Sequence, residues 1–228
     1  FEMSANYKKL GDYIQPVDVR NSDLKVSHLL GLSIEKCFIE SIANTIGTDF
    51  RPYKIVKKGQ FAYGPVTSRN GDKITIALLK EADVCIISSS YSVFEITDTT
   101  KLLPEYLMLW FSRPEFDRYA RYKSHGSVRE IFDWDEMCRV ELPVPDLKEQ
   151  EKIVNTYNAI TKRIQLKQKI NENLEKTAQA IYKKNVLNKK KANFEPIGNF
   201  GKVITGKTPS TERQDYYGKD IPFIKTPD

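Results

Sequence analysis

Leu142-Pro143-Val144-Pro145-Asp146-Leu147-Lys148-Glu149-Gln150-Glu151-Lys152-Ile153 divides the chain into two regimes. Pro143 and Pro145 forbid helix before them, because a proline supplies no N–H and crowds the preceding turn. Asp146 is then placed to cap, and Glu149 three residues on completes a box-like pair. Residues 148–186 contain no Pro or Gly and are rich in Lys, Gln, Glu, Ile, Leu and Ala, so they read as one long helix. About 39 residues at 1.5 Å each would span roughly 58 Å, more than the width of a small domain. Apolar or small residues recur at Ile153, Tyr157, Ile160, Ile164, Leu174, Ala178 and Ile181 in steps of four and three, interrupted at Lys167 and Asn171. A second row, Leu166, Ile170 and Leu174, bridges the interruption. A drifting stripe of this kind is expected of a helix packed along another helix, which makes these residues the candidate pairing face.

The same segment holds the charge. The chain has 228 residues with 36 Lys plus Arg against 30 Asp plus Glu, a net +6. Residues 148–191 hold 12 against 4, leaving 24 against 26 elsewhere. A solvated helix face accounts for many such lysines, while Lys189-Lys190-Lys191, beyond the apolar stripe, also suits a phosphate backbone.

Upstream of the prolines the pattern changes to short β-branched and aromatic runs at 28–34, 60–63, 73–79, 84–88, 91–96 and 138–142, which read as strands. Asn70-Gly71 is a hairpin-type turn. Helix signals are local: Pro104 as a first-turn proline before Leu107, Trp110 and Phe111, then Ser112 with Glu115 as a cap before Phe116, Tyr119 and Tyr122. The expected fold class is therefore α+β, a mixed, β-rich domain over 1–146 followed by a long coiled-coil-type helix over 147–191. Forty per cent apolar residues, 12 Tyr and 11 Phe supply a core and exclude low-complexity disorder. The longest apolar run, residues 106–111, is far short of the ~20 needed to span a bilayer. Phe1-Glu2-Met3-Ser4 lacks an apolar signal region, so a cytoplasmic protein with free thiols at Cys37, Cys85 and Cys138 is expected. No C-x-x-C, H-E-x-x-H or G-x-S-x-G occurs, so no metal site and no hydrolytic site is expected.

Residues 192–228 resume a globular composition too short to bury a core alone, and Ile197-Gly198-Asn199-Phe200 echoes Leu10-Gly11-Asp12-Tyr13-Ile14. The tail reads as the beginning of a second, incomplete domain. Gly201-Lys202-Val203-Ile204-Thr205-Gly206-Lys207-Thr208 fits a phosphate-binding loop, in which amides cradle phosphates and the lysine reaches the terminal one. Its context does not: Asn193 to Ile197 is a poor buried strand and Pro209 to Gln214 has no helical period. Pro145-Asp146-Leu147-Lys148 hints at a nuclease carboxylate, but Asp146 is better used as a cap. A methyltransferase signature, with its glycine-rich cofactor loop, does not occur.

Several stretches together resemble a known family. Lys57-Lys58-Gly59-Gln60-Phe61-Ala62-Tyr63, Ser88-Ser89-Ser90-Tyr91-Ser92-Val93-Phe94, Pro104-Glu105-Tyr106-Leu107 with Trp110, Gly126-Ser127-Val128-Arg129 and above all the proline pair running into Glu149-Gln150 are similar to the DNA specificity subunit of type I restriction-modification systems. Ile204-Thr205-Gly206-Lys207-Thr208-Pro209-Ser210 with Tyr216-Tyr217-Gly218 and Ile221-Pro222-Phe223-Ile224 resembles the opening of another target recognition domain, which absorbs the phosphate-loop lookalike. The resemblance implies a target recognition domain over 1–146, a spacer helix that pairs with its counterpart and docks partners, and a function of directing methyltransferase and restriction subunits to a split double-stranded DNA site. It implies no cofactor in this chain: S-adenosylmethionine, ATP and magnesium belong to the methyltransferase and restriction subunits. With one complete recognition domain, the chain is either truncated or a half-length subunit whose homodimer restores two domains by symmetry.

Base readers are donors and acceptors projected from loops. The polar stretches 67–73 and 122–129 have that composition, so the DNA-contact candidates are Ser68, Arg69, Asn70, Lys73, Lys123, His125, Ser127, Arg129 and, in the tail, Lys207. Gly71 and Gly126 serve turns. Two other classes are open at this level: a stand-alone nucleic-acid-binding regulator, and a nucleotide-binding protein acting through Gly201 to Thr208.

Overall fold

The computed structural model describes residues 7–41, 47–68, 70–126, 129–187, 195–202 and 212. It divides into two compact units, Phe1–Lys167 and Gln168–Asp228, and the long helix runs through the boundary.

In the first unit the strands are β1 (Tyr7–Lys9), β2 (Ile14–Val17), β3 (Leu30–Leu32), β4 (Phe38–Glu40), β5 (Lys54–Lys57), β6 (Phe61–Tyr63), β7 (Ile76–Leu78), β8 (Val84–Ile87) and β9 (Ser92–Ile96). Helices α1 (Pro104–Phe111), α2 (Pro114–Lys123) and α3 (Trp134–Arg139) follow, then β10 (Glu141–Pro143) and α4 (Leu147–Tyr182). An antiparallel sheet in the order β2-β9-β6-β7 is the centre, joined by the antiparallel pairs β5-β8, β3-β4 and β1-β10.

Strict alternation between two buried faces explains why β6 and β7 are apolar throughout, and β9 apolar except at Ser92 and Glu95. Phe61, Tyr63, Ile76, Leu78, Phe94 and Ile96 face one core with Leu102, Leu107, Phe111, Phe116 and Phe132 of the helical layer. The intervening Ala62, Ala77 and Val93 face a second core with Leu30, Leu32, Val56, Cys85 and Ile87. The sheet is thus buried on both sides, large residues under the helices and small ones where the other strands pack close. Phe61 stacks on its cross-strand partner Phe94 at 4.9 Å between centroids, and Phe111 meets Phe61 edge-on at 5.9 Å.

The expected α+β architecture and long helix are present, with local corrections. Residues 138 and 139 end α3 rather than begin a strand; Asp133 caps that helix by accepting from Glu136 N–H at 2.8 Å. Ser112 does not cap α2: its hydroxyl turns back to the Met108 carbonyl at 2.8 Å, and α2 opens on Pro114. Tyr122 does not continue the buried face of α2; it is 81% exposed while Phe116 and Ala120 are buried. The strand expected from Lys73 begins only at Ile76, because Ile74 N–H is held by Asp117 Oδ1 at 3.1 Å. The hairpin containing Asn70-Gly71 is a wide loop from Gly64 to Thr75, closed by Gly64 N–H to Thr75 C=O at 2.9 Å. Strands β1, β2, β4 and β5 were not expected from the sequence; β2 tolerates Pro16 because it lies at the sheet edge. Asp146 accepts from Glu149 N–H at 3.0 Å, the cap expected of it. The helix ends at Tyr182, with a π-helical turn Lys183–Leu187 after it.

In the second unit Ile197–Asn199 forms a 3-10 turn in which Phe200 N–H reaches Ile197 C=O at 3.0 Å. Leu10–Asp12 in the first unit is the same kind of turn, with Tyr13 N–H on Leu10 C=O at 2.9 Å. The sequence echo is therefore an echo of local conformation, but Leu10 is fully buried and Ile197 is 76% exposed. Most of the phosphate-loop lookalike, from Val203 to Thr208, and Lys189-Lys190-Lys191 lie outside the described residues.

Candidate nucleic-acid interface

The two polar stretches singled out in the sequence meet. Antiparallel bridges join Val66 to Ile131 and His125 to Ile131. Phe132 N–H donates to Pro65 C=O at 2.8 Å and Thr67 N–H to Glu130 C=O at 3.0 Å. The buried Thr67 hydroxyl lies 2.8 Å from the Ser124 hydroxyl, which donates to the Ala120 carbonyl at 2.7 Å. Residues 65–68, residues 124–126 and 129–132, and the end of α2 form one clamped assembly. Gly126 makes the second loop possible: at φ 135° it occupies backbone space closed to L side chains, and a Cβ would run into the Arg129 carbonyl oxygen. Gly71 has φ 62° in the first loop, and Asn70 Nδ2 donates to Val66 C=O at 3.2 Å.

The clamp exposes Ser68, Lys73, His125 and Arg129 and leaves Asn70 and Lys123 half-buried. Arg69, Ser127 and Lys207 lie outside the described residues. Beside the loops, Asp72, Lys73, Pro114, Asp117, Arg118, Arg121 and Tyr122 line an open hollow of about 630 Å³. Arg118 and Arg121 are an addition that loop composition did not reveal, while Tyr122 opens the 122–129 stretch without being among its named candidates. The available signal was helical spacing: they fall together on the face of α2 opposite Phe116 and Ala120.

These cations are not bare. Lys73 pairs with Glu35 at 2.8 Å, raising the lysine pKa and lowering that of Glu35 through the shared hydrogen bond. Arg118 pairs with Glu115 at 3.3 Å, Arg121 pairs with Glu130, and Lys123 lies 5.9 Å over the Tyr122 ring. Arg129 makes no ion pair among the described residues. Exposed pairs of this kind are weak, so a polyanion can exchange with the glutamates. Among the described residues no cluster of three His, Cys, Asp or Glu is placed to hold a metal ion, and no helix is long and apolar enough to cross a membrane.

On α4 the face packed onto its own domain is Gln150 and Val154, both buried, offset by one residue from the stripe seen in the sequence. The stripe residues Ile153, Tyr157, Ile160, Ile164, Leu166, Ile170, Leu174, Ala178 and Ile181 are all exposed in the single chain.

Comparison with known proteins places this architecture. The type I restriction modification DNA specificity domain matches residues 38–176. A curated relative, the type I restriction enzyme HindI specificity subunit of Haemophilus influenzae, is 22% identical over 77% of this chain and 54% of its own length. The chain thus spans about half of that relative. The crystal structure of the HsdS subunit from Thermoanaerobacter tengcongensis superposes with a TM-score of 0.56 at 16% identity, over 78% of this chain and 47% of that one, a likeness of fold. With the family pattern covering most of the chain, from β4 through much of α4, this protein belongs to the type I restriction modification DNA specificity domain family.

Proposed function

We propose that this protein reads DNA sequence for a type I restriction-modification complex and performs no chemistry itself. The observation that carries the reading is the clamped loop pair: segments 63 residues apart in sequence are fixed side by side, carrying Ser68, Asn70, His125 and Arg129, and Arg121 of α2 is paired to Glu130 of the second loop and lines a hollow with Lys73, Arg118 and Tyr122. Polar side chains projected from a clamped backbone suit base edges, and the flanking Lys and Arg suit phosphates. Membership of the specificity-domain family supports the same role.

In this reading residues 1–146 are the target recognition domain, 147–191 the spacer helix, and 192–228 the opening of a second recognition domain; the matching 3-10 turns support the last. Methyltransferase and restriction subunits are the partners and hold S-adenosylmethionine, ATP and magnesium, in the cytoplasm where the genome lies. A second copy, paired along the exposed stripe of α4, would supply the second half of the recognised site by symmetry.

Base-resolution methylation sequencing of the source genome with and without this gene tests the role. Loss of one split motif on deletion, restored by re-expression, is the expected result; an unchanged methylome overturns it. Arg129→Ala and Arg118→Ala then separate base from phosphate contact. The first is expected to relax one base position by ~1–3 kcal/mol if its contact is bidentate to guanine, the second to weaken binding evenly across sequences and flatten its salt dependence.

A further inference from the structure

The recognition domain and the first turns of α4 are locked together by directional bonds, and we infer that Gln150 is a positioning residue that fixes which separation of DNA half-sites the assembly accepts. The inference rests on the recognition role proposed above. Gln150 is fully buried. Its Nε2 donates to the Lys101 carbonyl at 2.9 Å and to the Pro145 carbonyl at 2.8 Å, and its Oε1 accepts from Leu103 N–H at 2.9 Å. One side chain therefore ties the start of α4 to the Pro145 linker and to the segment that leads into α1. Around it, the Tyr106 hydroxyl donates to the Pro143 carbonyl at 2.9 Å, Pro143 and Leu142 pair with Tyr7 and Lys8, and Val154 sits in the core one turn on.

An apolar residue at position 150 would bury as much surface, but burial is non-directional, whereas three amide hydrogen bonds weaken steeply once their angles open. Direction is what a split site demands. One extra base pair between half-sites moves the second by about 3.4 Å and turns it by about 35° around the duplex, so a mis-spaced site asks chiefly for rotation. At this junction such a rotation has to break the Gln150 bonds. Loosening them should admit off-by-one spacings while leaving the base-reading loops, and so the two half-site words, unchanged.

Methylation sequencing of cells carrying the full-length wild-type gene, Gln150→Ala, Tyr106→Phe or Asp133→Ala tests this. Asp133→Ala removes the α3 cap, outside the junction, and controls for lost stability. For Gln150→Ala, which removes three hydrogen bonds, the ratio of methylation at the native spacing to methylation one base pair longer or shorter should fall about tenfold or more. Tyr106→Phe, which deletes a single oxygen, should shift it the same way by less, and Asp133→Ala should leave it unchanged. Methylation only at the native spacing in both junction variants, merely reduced in extent, overturns the inference, as does a changed half-site word. Should Gln150→Ala not accumulate, Tyr106→Phe alone decides. A wild-type gene that produces no split motif overturns the recognition reading, and the inference with it.

Discussion

Lys36 shows how much one side chain can organise. It occupies the left-handed region, φ 60°, at the tip of the β3-β4 hairpin, and sends its ammonium inward to Asp117 Oδ1 at 2.8 Å and to the Phe111 carbonyl, 5.7 Å over the Phe116 ring. The same Asp117 oxygen holds Ile74 N–H, so hairpin, α2 and the approach to β7 meet at one buried cation. Burial lowers the Lys36 pKa even against the pull of Asp117. Removing one member of such a pair strands the other, so Lys36→Met should cost about 3–5 kcal/mol. Adding Asp117→Asn should recover part of it, since the amide oxygen still serves Ile74 N–H without an unpaired charge. Urea unfolding of the three proteins checks both; a double variant no more stable than the single one would show that the stranded charge is not the cost. Nothing in the sequence marks Lys36 among 36 basic residues, because its partners lie in other elements. Caps are different: Asp146 bonds three residues away, and its role was visible as spacing.

At the scale of elements, α4 carries the plainest prediction. Ile160, Ile164 and Leu174 are 57%, 51% and 62% exposed on a helix of 36 residues, about 54 Å long. A stripe of that length left in water is costly, and a paired helix removes the cost. The double variant Ile164→Asp/Leu174→Asp should therefore halve the solution mass measured by light scattering at micromolar concentration, with the melting of the first unit unchanged. A wild-type protein already monomeric under those conditions would remove the pairing from the proposal. Periodicity found this stripe but not Val154, because Ile153 and Val154 are adjacent and a helical period alone does not choose which of the two faces the chain's own domain. Conversely, β6 and β7 were legible because both faces are buried and every position is apolar, while the edge strand β2, with Pro16, carried no such signal.

At the scale of the whole molecule, the two cores set its response to alkali. Burial pushes the Cys85 thiol up from its ordinary 9.0 to about 12, and the Tyr63 phenol, on the other side of the sheet, from 10.0 to about 12. Both groups ionise earlier in the unfolded chain than in the fold. Their contribution is therefore intact below pH 9 and lost as pH rises toward 12, by at most about 1.4 kcal/mol per unit for each group. Stability measured from pH 8 to 11 should fall through this window. Cys85→Ala should lose less than wild type across it, and equal slopes would sink the assignment to the thiol.

The sequence by itself determined what depends on neighbours along the chain: the helix after the proline pair, its Asp146 cap, its apolar stripe, the apolar central strands and the motifs that place the protein in its family. Tertiary structure alone decided which loops share a surface, that Arg118 and Arg121 join them, that Lys73 is engaged by Glu35, and that Gln150 holds the junction. Caps and periods arise from interactions within one or two turns, so residue order encodes them directly. The bridges from Val66 to Ile131 and from Gln150 to Leu103 join segments brought together only by burial of the two cores, and residue order records them only through that collapse.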